Sequence, residues 1–276
     1  MIKIEDLGEP LAAGRTADIY QWSESEVIKL FQPWMPFEAI ESERNKAAAA
    51  RSMDLPVPGV GDIIHLTGRV GLVFERIDGP SMMDQLKFLR DLPQDVPQET
   101  LESSARQLAE LQASLHAGKA SVEFPAQADI LRDRISQCSL LSEEERTGAL
   151  RALARMPRDE KLCHGDFHPG NVMLADRGPV VIDWIDASRG NPAADIARTS
   201  LLFLGHIETS RTLADVRTAM ALYHDIYLDW HLDKAAARRD EYRHWFPIMA
   251  AARLAEDITE QQDWLLQQVR RGLSPG

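Results

Sequence analysis

The sequence LCHGDFHPGNVMLADRGPVVIDWIDA, residues 162–187, places polar side chains around two short apolar runs. These runs are residues 172–174 and 180–182. Between them, residues 176–179 (Asp-Arg-Gly-Pro) are of types that favour turns, each for its own backbone or hydrogen-bonding reason. Two short apolar runs joined by such a turn predict a β-hairpin.

The predicted hairpin brings chemically useful residues together. Asn171 directly precedes the first strand and Asp183 ends the second, so the antiparallel strands should make them neighbours. Amide and carboxylate oxygens are hard ligands that suit a Mg²⁺ ion bridging phosphates. Asp166 lies on the loop before the first strand, where it can accept a proton from a hydroxyl.

Composition limits the function classes. The chain has 276 residues, 44% of them hydrophobic, which is enough to bury a core in one large domain or two smaller ones. Its net charge is −12, because 43 Asp and Glu residues outnumber 31 Lys and Arg residues. This charge argues against binding of nucleic acid as a main activity. It is compatible with a cationic substrate, although solubility alone also accounts for an acidic surface.

The sequence predicts a cytoplasmic protein with no membrane partner. No apolar run approaches the ~20 residues that span a bilayer, and the first ten residues lack the apolar stretch of a signal peptide. Cys138 and Cys163 have neither metal-ligand nor redox spacing, which fits a reducing compartment. Cys163 lies beside His164 and is a possible nucleophile, but a small buried thiol is the commoner use of cysteine.

The N-terminal part of the chain predicts a small β-rich lobe. Strands are predicted at residues 18–22, 26–31, 62–66 and 69–75, after a small-residue turn at 11–17. Lys29 shares a strand face with Val27 and Phe31. A lysine on an apolar face is costly unless it has an anionic partner. The alternative is an edge-strand lysine that reaches solvent.

A helix predicted over residues 36–53 supplies a possible partner for this lysine. Ile40, Glu43 and Ala47 are three or four positions apart, so they share a helix face and Glu43 should point inward. Glu43 is therefore the favoured partner, with Glu41 as the competing choice and Glu38 as a weaker one. Alternatively, all three glutamates form a solvated acidic face near the helix N-terminus.

The apolar strand pattern stops at residues 75–80, which predicts a lobe boundary. We expect an N-terminal lobe at residues 1–78 and a helical C-terminal lobe at residues 79–276. Helices are predicted at residues 99–116, 129–139, 142–156, 193–204 and 212–232, with one or two more within 234–272. Ser142 and Glu145 have the spacing of a capping box at the start of one of these helices.

The segment HGDFHPGN (164–171), followed by VIDW (181–184), resembles the aminoglycoside phosphotransferase and choline kinase superfamily, a branch of the protein-kinase-like fold. The protein-kinase catalytic loop, H-R-D-L-x-x-x-N, has the same Asp-to-Asn spacing; here Gly165 replaces the Arg. Lys29, Glu43, a hinge at 75–79, the catalytic loop, Asp183 and a helix residue, Asp195, follow in the family's order. The resemblance implies an α+β, bilobal fold with a small β-rich N-lobe and a mostly helical C-lobe.

Two departures from protein kinases bear on the substrate. Trp184, not Phe-Gly, follows the metal-type Asp183, and the chain runs almost directly on to Asp195. The long activation segment that ends in A-P-E is absent from the sequence, so a small-molecule acceptor is favoured over a peptide. The loop at 11–17 contains Gly14 but lacks the G-x-G-x-x-G pattern of a phosphate loop.

The resemblance implies a role for each matched position. Lys29, oriented by Glu43, would hold the α- and β-phosphates of ATP, with GTP as an open alternative. Asn171 and Asp183 would hold Mg²⁺, and Asp166 would act as the base. The backbone of Glu75 and Ile77 would meet the adenine edge. Four apolar residues would enclose the ring, unless they are ordinary core residues: Ile19, Val27, Met173 and Ile182.

Several polar residues keep two interpretations. The family pattern favours a structural role for His164 and has Asp195 hydrogen-bond the catalytic-loop backbone, while the roles of His168 and Asp186 stay open. Acceptor-binding candidates lie in the C-terminal helices, where a solvated face is the alternative: His224, Asp225, Asp229, Trp230, Glu256 and Asp257. Acidic groups suit an amino sugar, and a tryptophan suits a quaternary amine.

We therefore expect an ATP- and Mg²⁺-dependent kinase that phosphorylates an alcohol of a small molecule, such as an amino sugar, an antibiotic-like compound or a metabolite. A catalytically degenerate, nucleotide-binding regulatory protein is the first alternative. A protein kinase is the second, and the missing activation segment argues against it. The sequence leaves the acceptor's identity and the oligomeric state open.

Overall fold

A computed structural model describes residues 4–86, 98–209, 214–233 and 236–273. The protein is α+β, as predicted. Contacts divide the chain into two compact units, Met1–Ser81 with Gly170–Asp186, and Met82–Pro169 with Ala187–Gly276. We call the first the sheet unit and the second the helical unit. Along the described residues, no helix combines the length and the apolar character needed to cross a bilayer.

The sheet unit is built on five antiparallel strands in the order β1-β2-β3-β5-β4. The strands are β1 (Ala12–Ala13), β2 (Ala17–Gln21), β3 (Glu26–Phe31), β4 (Val60–Leu66) and β5 (Arg69–Glu75). The four predicted strands are confirmed, with β4 beginning two residues earlier than expected. The loop predicted at 11–17 also contains the short strand β1, which pairs with Ile19 and Asp18 of β2.

Alternation along β3 gives the sheet two buried faces. Ile28 and Leu30 belong to one apolar cluster. Phe31 belongs to another cluster, which it shares with Ile40 of helix α1 (Phe37–Ser52). Because successive strand residues point to opposite faces, Lys29 lies on the same face as Phe31, which is the face covered by α1. The strand period therefore directs a lysine toward the helix that was predicted to hold its partner.

The predicted hairpin forms from β7 (Val172–Ala175) and β8 (Gly178–Val181). Gly178 and Pro179 were expected in the turn but pair in the strand with Ala175 and Leu174. Asp176 and Arg177 form the loop, and Gly178, the first residue after it, has φ +106°, a conformation that side chains disfavour.

The hairpin is bonded within the sheet unit. Leu174 N–H donates to Pro80 O at 2.8 Å, and Val181 N–H donates to Pro56 O at 2.7 Å. The division predicted at residue 78 assigned this hairpin to the C-terminal lobe, and that division stays a prediction. These bonds explain why contacts group residues 170–186 with the sheet.

The helical unit contains the remaining elements. They are α2 (Met82–Gln85), α3 (Gln98–Ala117), α4 (Gln127–Gln137), α5 (Glu143–Arg155), β6 (Lys161–Cys163), β9 (Ser188–Gly190), α6 (Pro192–Thr209), α7 (Ala214–Leu232), α8 (Ala236–Arg253) and α9 (Gln262–Leu273). The Ser142–Glu145 capping box is confirmed, with both reciprocal hydrogen bonds present. The predicted helix starts at Thr212 and Lys234 lie outside the described residues.

Two features of the helical unit were not predicted. Strands β6 and β9 pair on either side of the hairpin sequence, with Cys163 opposite Ser188. Each strand has three residues, too few to show a period. The prediction of one or two helices within 234–272 is confirmed by α8 and α9, but the short 3₁₀ turns between them, around Asp257 at φ +54°, were not predicted.

Candidate active site

The sheet unit contains a buried cationic group at the centre of an acidic cluster. Lys29 Nζ lies 2.7 Å from Glu43 Oε1 and 2.8 Å from Asp183 Oδ1. Strand β3 supplies the lysine and helix α1 the glutamate, so the predicted Lys29–Glu43 pair is confirmed. Glu41 and Glu38, the alternatives, are exposed.

Burial sets the electrostatics of this pair. Burial raises the pKa of Glu43 to about 7 even though Lys29 opposes the rise. Burial alone would lower the pKa of Lys29, but Glu43 and Asp183 raise it above its ordinary value. Within the described residues, Glu43 Oε2 is buried without a hydrogen-bond partner. The lysine therefore stays charged, and the glutamate is the member of the pair that titrates near neutrality.

Asn171 directly precedes β7 and Asp183 follows β8 by two positions, so both lie at the open end of the hairpin. Ile182 N–H donates to Asn171 O at 3.0 Å, so Asp183 is the residue that follows this backbone bond. Asp183 has φ +65°, a conformation that Asp adopts more readily than bulkier residues. Its side chain is 31% exposed, while Asn171 is buried. A side-chain amide and a carboxylate form an oxygen donor set that fits Mg²⁺.

The hinge and the four apolar residues also belong to the sheet unit. The Glu75 amide donates to Gly59 O, and the Glu75 carboxylate lies 2.6 Å from Arg177 Nη1, which lowers the pKa of Glu75. The Glu75 amide is therefore already bonded within the sheet unit. Glu75, Ile77 and all four predicted ring-enclosing residues are half-buried: Ile19, Val27, Met173 and Ile182. Half-burial is compatible with either interpretation of these residues.

The helical unit contains Asp166, the candidate base. Its Oδ2 lies 3.6 Å from His168 Nε2, and its Oδ1 lies 3.7 Å from Arg198 Nη2. Burial alone would raise the pKa of Asp166, but His168 and then Arg198 hold it well below its usual range. Asp166 is therefore an ionised carboxylate at neutral pH.

Asp195, on α6, holds the loop that carries Asp166. Its carboxylate accepts hydrogen bonds from the amides of His164, at 3.1 Å, and Gly165, at 2.8 Å, so the predicted backbone role is confirmed. It also accepts from Gln112 Nε2 at 3.0 Å, and His116 Nε2 lies 2.9 Å away. Gly165 has φ +80°, which other residues would adopt only with strain.

His164 has the structural role that the family pattern favoured. It is fully buried, and its Nδ1 accepts from the Asp166 amide at 3.3 Å. The neighbouring Cys163 is also buried, and burial raises the pKa of its thiol. Because the thiolate is the nucleophilic form, this rules against the alternative in which Cys163 is a nucleophile.

Sequence reasoning missed three residues of the Asp166 loop environment: Gln112, His116 and Arg198. Gln112 and His116 lie on the core-facing stripe of α3. A polar residue on an apolar helix face is a signal that the sequence does contain. Arg198 stands one turn after Asp195 on α6, where a buried arginine is similarly unusual.

The acceptor candidates divide into buried and exposed groups. His224 is buried 3.3 Å from Asp225, and burial lowers its pKa. Asp225 and Asp229 are largely exposed on α7, as a solvated face would be. Trp230 packs edge-on against His231. Glu256 binds Arg198 at 2.7 Å and Arg253 at 2.9 Å.

Asp257 borders a cavity within the helical unit. The cavity has a volume of about 560 Å³ and lies between the C-terminal half of α4 and residues 254–257. Its charged lining consists of Asp133, Arg134 and Asp257. Arg134 Nη1 also lies 3.7 Å from Glu256, so this cavity adjoins the carboxylate that holds Arg198.

A family model described as the phosphotransferase enzyme family matches residues 8–227, which is well over half of the chain. No match was found among curated protein sequences.

Solved structures share the fold across nearly the whole chain. A choline/ethanolamine kinase family protein from Mesorhizobium loti has a TM-score of 0.63 at 16% identity, covering 97% of this chain and 88% of its own. An amicoumacin kinase in complex with AMP-PNP and Ca²⁺ has a TM-score of 0.60 at 10% identity, covering 98% and 88%. An aminoglycoside-3′-phosphotransferase of type VIII has a TM-score of 0.53 at 23% identity, covering 91% of each chain.

The fold is that of kinase-like proteins, and the family model is that of a phosphotransferase family. The chain belongs to the phosphotransferase enzyme family.

Proposed function

We propose that the protein is an ATP-dependent O-phosphotransferase that acts on the hydroxyl group of a small molecule. The observation that carries the proposal is the buried Lys29 held between Glu43 and Asp183. A buried lysine with two carboxylate neighbours is an expensive arrangement, and phosphate binding is a function that needs such a fixed cation.

The residues of the sheet unit would bind the nucleotide. Lys29 donates to phosphate oxygens, and Glu43 keeps its ammonium group in place. Asn171 and Asp183 are the residues that would hold Mg²⁺, which when bound neutralises charge on the phosphates. The Glu75 carbonyl and the Ile77 amide would meet the edge of the base. Nucleotide complexes occur among structures of the same fold, such as the amicoumacin kinase with AMP-PNP.

The helical unit would supply the base that acts on the acceptor hydroxyl. Asp166 is ionised, so it can accept a hydrogen bond from the acceptor hydroxyl and orient its oxygen. A carboxylate with a low pKa is a weak base, so it takes the proton only once the oxygen–phosphorus bond is forming. Asp195 keeps the loop in position by binding two of its amides.

Transfer of phosphate to an acceptor tests the function. Purified protein with Mg-ATP or Mg-GTP should produce nucleoside diphosphate in the presence of one compound of a panel of amino sugars, macrolides, choline, homoserine and sugars. Nucleotide binding without any transfer across a wide panel would favour the regulatory alternative. Labelling of proteins by γ-phosphate would favour a protein kinase.

Asp257 is the proposed contact for a cationic group of the acceptor, and Asp133 lines the same cavity. Structures of the same fold include complexes with streptomycin and gentamicin. Asp257→Asn should raise the KM of a cationic acceptor by about two- to fivefold, since exposed ion pairs contribute little. The kcat value and the KM of ATP should not change. Steady-state kinetics with Asp240→Asn, an exposed aspartate on α8, provides the control.

An equal effect of Asp257→Asn and Asp240→Asn would place the acceptor elsewhere. Asparagine is a suitable replacement because it tolerates the left-handed conformation of residue 257.

The pH dependence of nucleotide use should follow Glu43. Below pH 7 the buried carboxyl takes up a proton and no longer fixes Lys29, so kcat/KM for Mg-ATP should fall with an apparent pKa of about 7. Glu43→Gln should have a low kcat/KM without this dependence. Glu41→Gln, an exposed change on the same helix, should retain the wild-type profile. The measurement is kcat/KM between pH 5.5 and 9.

The same group has an opposite effect on stability. Its folded pKa of about 7 lies above the ordinary value of 4.5, so its contribution to stability is complete below pH 4.5 and is lost as the pH rises through 7. The stability of the wild type relative to Glu43→Gln should therefore decrease over that interval. A difference that increases with pH would contradict the assignment.

A further inference from the structure

We propose that Arg198 is a positioning residue that aims the carboxylate of Asp166, an inference that rests on the proposed function. Arg198 lies on α6, and its side chain is 5% exposed. Within the helical unit it contacts both the backbone and the side chain of the loop that contains the candidate base.

The planar guanidinium reaches two groups of the loop. Arg198 Nε donates to Gly165 O at 2.9 Å, and Nη2 lies 3.7 Å from Asp166 Oδ1. Contacts to a carbonyl and to the next residue's carboxylate constrain both the main chain and the side-chain direction. A planar fork with several fixed donors can do this, whereas a single ammonium group cannot.

The guanidinium is itself fixed from the opposite side. Nη1 of Arg198 lies 2.7 Å from Glu256 Oε1, and Glu256 Oε2 accepts from Arg253 Nη1 at 2.9 Å. Arg253 in turn donates twice to Gln261 Oε1, at 3.1 and 2.9 Å. These bonds connect three segments of the helical unit, so Arg198 has little freedom to move. Glu256 is therefore paired with two arginines of the protein itself. It is no longer needed as a candidate for binding the substrate that accepts the phosphate.

The position before the aspartate is a glycine in this loop, and the guanidinium near the loop comes from α6. In the H-R-D pattern an arginine precedes the aspartate, whereas here Gly165 stands there at φ +80°. Arg198 brings a guanidinium to the same aspartate from α6. Among the described residues of the helical unit, His168, at 3.6 Å, and His164 also act on the carboxylate of Asp166.

Three variants test the inference. Arg198→Gln should lower kcat by about 10- to 100-fold, since a shift of about 1 Å in a reacting group can cost this much. Arg198→Lys should recover only part of the loss in kcat, because lysine restores the positive charge but not the planar guanidinium with its several donors. Arg146→Gln is the matched control. Arg146 also binds two carbonyls and one carboxylate in the helical unit, but these belong to Cys138, Leu141 and Glu143, which lie outside the loop.

The readouts separate positioning from a purely structural role. In Arg198→Gln the kcat value should fall while the KM of Mg-ATP stays within about twofold, which is the split expected of a residue that acts on the base and not on the nucleotide. On an Asp166→Asn background, Arg198→Gln should have little further effect, since it acts through the same group. Equal kcat losses in Arg146→Gln, or multiplicative double-variant effects, would overturn the inference.

A measurement independent of activity distinguishes failure of this inference from failure of the proposed function. Hydrogen exchange of the peptide that covers residues 162–169 should be at least tenfold faster in Arg198→Gln than in the wild type, and unchanged in Arg146→Gln. Faster exchange together with no phosphate transfer by the wild type would overturn the proposed function alone. Unchanged exchange would overturn the positioning role of Arg198.

Discussion

Asp166→Asn should lower kcat by about 10²–10⁴-fold, the usual contribution of a general base, while the KM of Mg-ATP stays nearly unchanged. The amide can occupy the same space, but it carries no negative charge and cannot take the proton of the acceptor hydroxyl. Nucleotide binding should survive because Lys29, Glu43 and Asp183 belong to the sheet unit. Steady-state kinetics with the best acceptor of the panel, together with nucleotide titration, gives both values.

The control for this variant is Asp215→Asn, an exposed aspartate at the start of α7. It has the same chemical change and should keep wild-type turnover. An Asp166→Asn enzyme with wild-type kcat would show that another group is the base. Loss of nucleotide binding in the same variant would show that Asp166 also supports the nucleotide site, contrary to the proposal.

Asp195→Ala should destabilise the helical unit by about 3–5 kcal/mol, as removal of one partner from a buried charged network does. The carboxylate is 1% exposed and accepts from two loop amides and from Gln112, with His116 also in contact. Without it, these groups are buried and lack their acceptor. Urea denaturation followed by circular dichroism should show an earlier transition, and turnover should fall because the loop is no longer held.

The pH dependence of this contribution has a definite sign. Burial alone would raise the pKa of Asp195, but His116 and then the Gly165 amide lower it below its ordinary value of 3.8. A lowered folded pKa means that the stability is present above pH 3.8 and is lost as the pH falls toward the folded value. The difference between wild type and Asp195→Ala should therefore shrink in acid. Asp240→Ala, exposed on α8, should be nearly neutral, and an equal effect there would contradict the argument.

Local patterns explain which parts of the fold and the site were predictable. The hairpin follows from two apolar runs and turn residues that lie close in sequence. The Lys29–Glu43 pair follows from one strand period and one helix period, each of which fixes a face. The spacing within residues 164–171 and Asp183 led to the family, which the family model confirms. The roles assigned to these residues stay predictions.

Contacts across long sequence separations were not predictable. The pairing of β6 with β9 joins residues 161–163 to 188–190, and three residues have no recognisable period. Arg198 reaches Gly165 across 33 positions and Glu256 across 58, which no local spacing records. Buried polar residues such as these depend on tertiary structure for their partners, so only the presence of a charge on an apolar helix was visible in advance.

The cavity between α4 and residues 254–257 has a consequence for evolvability under the proposed function. Asp133 and Asp257 line the cavity without holding the base, so substitutions there could broaden or shift the range of acceptors and leave the reaction intact. Glu256, the immediate neighbour of Asp257, anchors Arg198 and is not free to vary in the same way. A library for new acceptors should therefore randomise positions 133 and 257 and keep position 256 fixed.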